Sequence, residues 1–153
     1  MLDYQLSKEE LQLIEQTGLV ATERFMLRIT LSVWRMLLHI ADSYQSSVEN
    51  LTAEQIVGWM LRDREIRCTQ GEDQAYLKWS NNLPDLEFPD TQNDLVSGTN
   101  LTSHEKFLTR MLISGISFLK TVAEKCQVPI QALQPADIVH FVEKDRASLQ
   151  WQT

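Results

Sequence analysis

Apolar residues fill almost every position from Phe25 to Ala41 (FMLRITLSVWRMLLHIA), and the polar exceptions Arg28, Ser32, Arg35 and His39 recur at spacings of four, three and four. At 3.6 residues per turn those four positions share one face of a helix, and Arg24 extends the line by one turn. A helix that is apolar over most of its circumference belongs in the middle of a bundle, with three or four helices packed round it. The pattern therefore predicts a buried central helix over about 22–44.

Capping signals predict the helices around it. Ser7 with Glu10, Thr52 with Gln55, and Thr102 with Glu105 each place a hydroxyl residue three positions before a Glu or Gln. Such a pair satisfies two orphan N–H groups of a helix start reciprocally. The first pair opens a helix that carries Leu11 and Ile14; Gly18 either ends it or lies within one long helix that continues to Tyr44. The second opens a helix to about Arg67 with Ile56, Val57, Met60 and Leu61 inward, and its tail LRDREIRC reads as a solvated face laced with ion pairs. Glu72 to Trp79 reads as two further helical turns that bury Tyr76, Leu77 and Trp79. The third pair opens a helix to about Lys125 on the stripe Leu108, Leu112, Gly115, Leu119 and Val122, with Phe107, Met111 and Phe118 beside it. A glycine inside a helix costs on the order of 1 kcal/mol, so Gly115 is expected to be crossed closely by a bulky residue of the central helix, Phe25 or Trp34. Pro135 suits the first position of a last helix, with Asp137 in its first turn and Ile138, Phe141, Val142 and Leu149 inward.

Between the second and third groups of helices, Ser80 to Leu101 holds Pro84, Pro89 and Gly98 among four acids. Two prolines at that spacing exclude a helix. A long irregular loop at about 80–101 follows, of the kind used as lids, straps or binding loops. The predicted fold class is all-α: one domain over 1–153, a bundle of five or six helices round the central one.

Composition adds limits rather than detail. With 43% apolar and 23% charged residues the chain is an ordinary globular protein. Its start, MLDYQLSKEE, lacks a secretory signal, and Cys68 and Cys126 match no metal or redox spacing, so buried or half-buried free thiols and a cytoplasmic location are expected. A net charge of −7 disfavours nucleic acid and anionic lipid as partners. Phe25 to Ala41 falls short of the roughly 20 residues that span a bilayer, so no membrane partner is expected either. The stretch LKTVAEKCQVPIQALQPADIV places Ala123 and Val128 as a helix-turn-helix would, but Gln127 stands where that turn takes Gly and Pro135 would break the second helix.

Candidate chemistry is sparse. Arg24, Arg28, Arg35 and His39 could line an anion-binding groove, because the guanidinium fork matches carboxylate or phosphate. The same arginines could instead pair internally with acids such as Glu54 and Asp63. His39, His104 and His140 share no metal spacing, and Asp137, His140 and Glu143 lack a second ligand-bearing motif, so no metal, cofactor or catalytic residue is expected. No Gly-flanked serine or Gly-rich phosphate loop is present. The reading that fits best is a non-enzymatic protein-interaction or regulatory module, homodimeric, with Trp59, Trp79, Phe88 and Trp151 as candidate interface anchors. The alternative is a domain or enzyme that binds a phosphate- or carboxylate-bearing small molecule on the arginine line.

Overall fold

All three capping pairs form. In a computed structural model that describes residues 6–78 and 94–144, the Ser7 hydroxyl accepts the Glu10 N–H at 3.1 Å while the Glu10 carboxylate accepts the Ser7 N–H at 2.8 Å. Thr52 and Gln55 repeat the exchange at 3.1 and 3.0 Å, and Thr102 and Glu105 at 3.2 and 2.9 Å. These caps start α1 (Lys8–Glu15), α3 (Ala53–Gln70) and α4 (Ser103–Cys126); α2 (Ala21–Ser43) and α5 (Pro135–Lys144) complete the helices, with single 3-10 turns at Val48–Asn50, Glu72–Gln74 and Ile130–Ala132. The fold is all-α, and the described residues contain no strand. Replacing Thr102 by alanine is expected to cost about 1 kcal/mol, read as a lower urea midpoint, since the Glu105 N–H then loses its hydroxyl acceptor.

Gly18 falls outside both neighbouring helices. Thr17 donates its hydroxyl to the Ile14 carbonyl at 2.7 Å as α1 ends, and α2 restarts after Val20, whose N–H donates to the Glu23 carboxylate at 3.0 Å. Valine has no side-chain oxygen with which to return the bond. Only half a capping box exists here, which is why this helix start was hard to place from sequence.

Two helices end in the same unexpected way. After α2, Gln45 takes a positive φ of 53°, and Ser46 N–H reaches the Ala41 carbonyl at 2.9 Å while Gln45 N–H reaches that of Asp42 at 3.1 Å. After α4, Gln127 does so with φ 59°, Val128 N–H bonding Ala123 and Gln127 N–H bonding Glu124 at 3.1 and 3.2 Å. Both are Schellman ends with glutamine where glycine is usual. Gln127→Gly is expected to raise stability by about 0.5–1 kcal/mol, because the left-handed conformation strains any residue with a Cβ. An unchanged thermal midpoint would count against it.

The chain packs as two compact units, residues 1–50 with 114–153, and residues 51–113. In the first, α2 is buried on all sides over Ile29–Trp34, and Leu27, Leu37 and Ile40 continue its core. Ile14 of α1, Leu119 and Val122 of α4, and Ile138 and Val142 of α5 are buried in the same unit. Phe118 and Phe141 meet edge to face at 5.9 Å. Glu49 closes the unit by accepting the Ile130 N–H at 3.2 Å, which joins two 3-10 turns that are 81 residues apart. Trp34 and Gly115 are both buried in this unit, whereas Phe25 is exposed.

In the second unit, Ile56, Val57 and Met60 are buried as the pattern predicts, but Glu72 to Lys78 forms only one 3-10 turn rather than two helical turns. The reason lies in α3. The N–H groups of Tyr76 and Leu77 donate to the Asp63 carboxylate at 2.8 and 3.2 Å instead of to helical carbonyls. Phe107, expected beside the α4 stripe, is exposed. Trp79, Phe88, Leu149, Trp151 and most of the 80–101 loop lie outside the described residues; its end, from Asp94, is a turn. No helix among the described residues is long and apolar enough to cross a membrane.

Candidate functional site

The arginine line of α2 is engaged mainly by α1. Arg28 donates to the Glu15 carboxylate at 2.9 Å, Arg35 donates to that of Glu10, and Arg24 bonds the Leu19 carbonyl at 2.7 Å. The internal partners are thus Glu10 and Glu15, not Glu54 or Asp63. Arg35 also lies over the Trp34 ring, 5.5 Å from its centroid. Ser32 sits between the two arginines, buried, and His39 at the far end is exposed. The geometry brings Arg24, Arg28 and Arg35 to one side of the first unit, each already holding an acceptor.

The tail of α3 is not the solvated face its charges suggest. Asp63, Arg67 and Glu105 are 5%, 1% and 3% exposed. Arg67 donates to Asp63 at 2.9 Å, to the Leu77 carbonyl at 3.0 Å and to Glu105 at 2.6 Å, and Arg64 adds a bond to Glu105 at 3.1 Å. Glu105 therefore caps α4 and neutralises two arginines with the same carboxylate. Burial pushes its pKa up, but the Thr102 N–H and Arg67 outweigh that and hold it below the ordinary carboxylate value. This network is structural: it fixes α3, the 71–78 segment and the start of α4 to one another.

Trp59, expected at an interface, is buried in this unit and packs edge to face on Tyr76 at 5.7 Å. It is core. Cys68 is exposed rather than half-buried, with Arg64 donating to its sulfur at 3.8 Å, while Cys126 is half-buried.

Each unit also presents apolar side chains to solvent. Among the described residues the exposed large hydrophobic side chains are Val20 (59%) and Phe25 (54%) at the start of α2, and Leu95 (48%) and Phe107 (47%) in the second unit. The second pair is held by an ionic clamp. Arg110, one turn along α4 from Phe107, bonds both oxygens of Asp94 at 3.0 Å, and the Asp94 carboxylate also accepts the Val96 and Ser97 N–H groups at 3.1 Å. The Arg110 guanidinium holds the Asp94 carboxyl well below its usual range. The first pair was legible in principle. Phe25 lies about 60° round the helix from Arg28, on the wet edge rather than opposite it.

Exposed aromatic and aliphatic side chains fixed on rigid elements suit contact with another protein. Comparison with known proteins agrees with that character. Neither the curated proteins nor the solved structures contain a match. A protein-family model described as NDH complex assembly factor CRR9 matches residues 6–85 and 90–152, nearly the whole chain. On that match the chain belongs to the family of NDH complex assembly factor CRR9.

Proposed function

We propose that this protein is a non-enzymatic assembly factor of an NDH complex, which binds a protein component of that complex through the exposed apolar side chains of its two units. The observation that carries this reading is the outward placement of Val20, Phe25, Leu95 and Phe107 on units whose cores otherwise take the large apolar side chains inward. Family membership supports it by naming an assembly role. Burial of such anchors in a partner is the usual source of interface energy.

A host that lacks the protein is expected to accumulate much less intact NDH complex on native gels, and the wild-type chain should restore it. Normal accumulation without the protein would sink the reading. The paired variant Phe25→Asp, Phe107→Asp is expected to fold as wild type and to fail in restoration. Self-association is the competing use of the same surface. A monomer in sedimentation at high micromolar concentration favours a different partner, and a dimer that Phe25→Asp dissociates favours the homodimer.

A further inference from the structure

We infer that α1 is a hinged cover: it opens from α2 as a unit while the core of the first unit stays folded, and so exposes the Arg28, Ser32 and Arg35 face of α2. This motion is a property of the first unit alone and holds whether or not the protein assembles an NDH complex.

α1 packs against α2 and α5, but little of it is inside. Of its residues only Glu10 and Ile14 are buried, and one of those is charged. By contrast α5, two residues longer, buries three aliphatic side chains, Ile138, Val139 and Val142. A helix as short as α1 has no stability of its own in water and lasts only while its packing holds. Elements with few buried apolar contacts open locally at far lower free energy than the core around them.

The face that α1 covers is poorly satisfied. Arg28, Ser32 and Arg35 follow at spacings of four and three on one side of α2, and Glu15 and Glu10 of α1 reach the two ends of that row. Arg28 Nε, Arg35 Nε and the hydroxyl of Ser32, a residue only 5% exposed, are all buried without a hydrogen-bond partner. A buried donor that bonds nothing forfeits its hydration for as long as the cover is shut. Opening returns all three groups to water, which offsets the exposure of Ile14.

The ties that hold α1 down are also weak. Arg28 and Glu15 have side chains 34% and 55% exposed, a pair that contributes little. Glu10 is 4% exposed against 38% for its partner Arg35, so closing strips water from a carboxylate whose cation stays wet. The pivot falls at Gly18. Thr17 is tied to Ile14 and moves with α1, whereas Leu19 is buried and its carbonyl holds Arg24. Between them, a Cβ on Gly18 would meet nothing within 4 Å, so the chain has room to turn there.

Thiol labelling tests the motion at the face it uncovers. In a full chain carrying Cys68→Ser and Cys126→Ser, Ser32→Cys is expected to react with a disulfide reagent roughly a hundredfold faster than Leu37→Cys, at a rate that low urea does not change. Leu37 is fully buried in the same helix. Hydrogen exchange supplies the second measurement. Amides of Leu11 to Glu15 should exchange well before those of Leu31 to Leu37, and Ser32→Ala, which removes one unpartnered hydroxyl from the closed state, should slow them about fivefold or more. Equal labelling at positions 32 and 37 would mean that α1 leaves only when the whole unit unfolds, and would overturn the inference. So would α1 amides that exchange no faster than those of α2, or that Ser32→Ala leaves unchanged.

Discussion

Replacing Arg67 by alanine is expected to destabilise the unit of residues 51–113 by about 3–5 kcal/mol, because it leaves the Asp63 and Glu105 carboxylates buried without their shared cation. Few single substitutions reach that size. In a chain of this length the loss corresponds to a thermal midpoint lower by roughly 10 °C. A midpoint within 1 °C of wild type would show that the network carries no such weight. Buried ion networks can often be exchanged for apolar residues without loss. This one should resist the exchange, since Asp63 also accepts the Tyr76 and Leu77 N–H groups and Glu105 also caps Thr102. Asp63→Leu with Arg67→Met and Glu105→Leu would strand those N–H groups, so the triple variant is expected to remain destabilised.

The same network sets an acid limit. Glu105 has a folded-state pKa below its ordinary value of 4.5, so its contribution is fully present above that value and is lost as pH falls through the folded-state pKa. Thermal midpoints measured on acidification below about 4.5 should fall less steeply in Glu105→Gln than in wild type, from a lower starting point at neutral pH. Equal slopes would remove Glu105 from the acid response.

Leu37→Ala carries the second large expected effect, a loss of about 2–5 kcal/mol. Leu37 is fully buried in α2, within the core of the first unit. Its removal deletes the transfer energy of the lost methyl groups and leaves a cavity that packed neighbours cannot fill. Leu95→Ala makes the comparison sharp. The same chemical change at a half-exposed position should stay within about 0.5 kcal/mol. Denaturant midpoints of the two variants that differ by less than 1 kcal/mol would mean that α2 is not the centre of the first unit.

The exposed pairs extend this contrast to function. Val20, Phe25, Leu95 and Phe107 contribute little to stability by their position, so their substitution separates binding from folding. Family membership implies a protein-interaction role, and the function proposed above assigns it to these side chains.

Much of the architecture was readable along the chain because its causes are local. Three capping boxes lie within four residues each, and the apolar run of α2 spells out a helix that is buried all round over Ile29–Trp34. Pro135 and Asp137 likewise announced α5. Failures arose where the deciding partner is distant or lacks its usual residue. The start of α2 uses a valine that cannot cap, which left open whether Gly18 breaks the chain into two helices. The expected bounds of about 22–44 for α2 and about Lys125 for the end of α4 nevertheless stand within a residue of those observed, although both helices end on glutamine where glycine is usual. Charge alone misplaced Asp63 and Arg67. Yet Ile56, Met60, Asp63 and Arg67 follow one another at spacings of four, three and four, so the buried stripe of α3 runs straight into its ion network. The spacing placed those side chains on the inward face; only Glu105, 38 residues beyond Arg67, could make it possible to bury them. The arginine line of α2 shows the same division. Its periodicity put the guanidinium groups on one edge, while the packing of α1 decided which acids they meet and left Phe25 outside, because an exposed position is defined by what fails to pack against it.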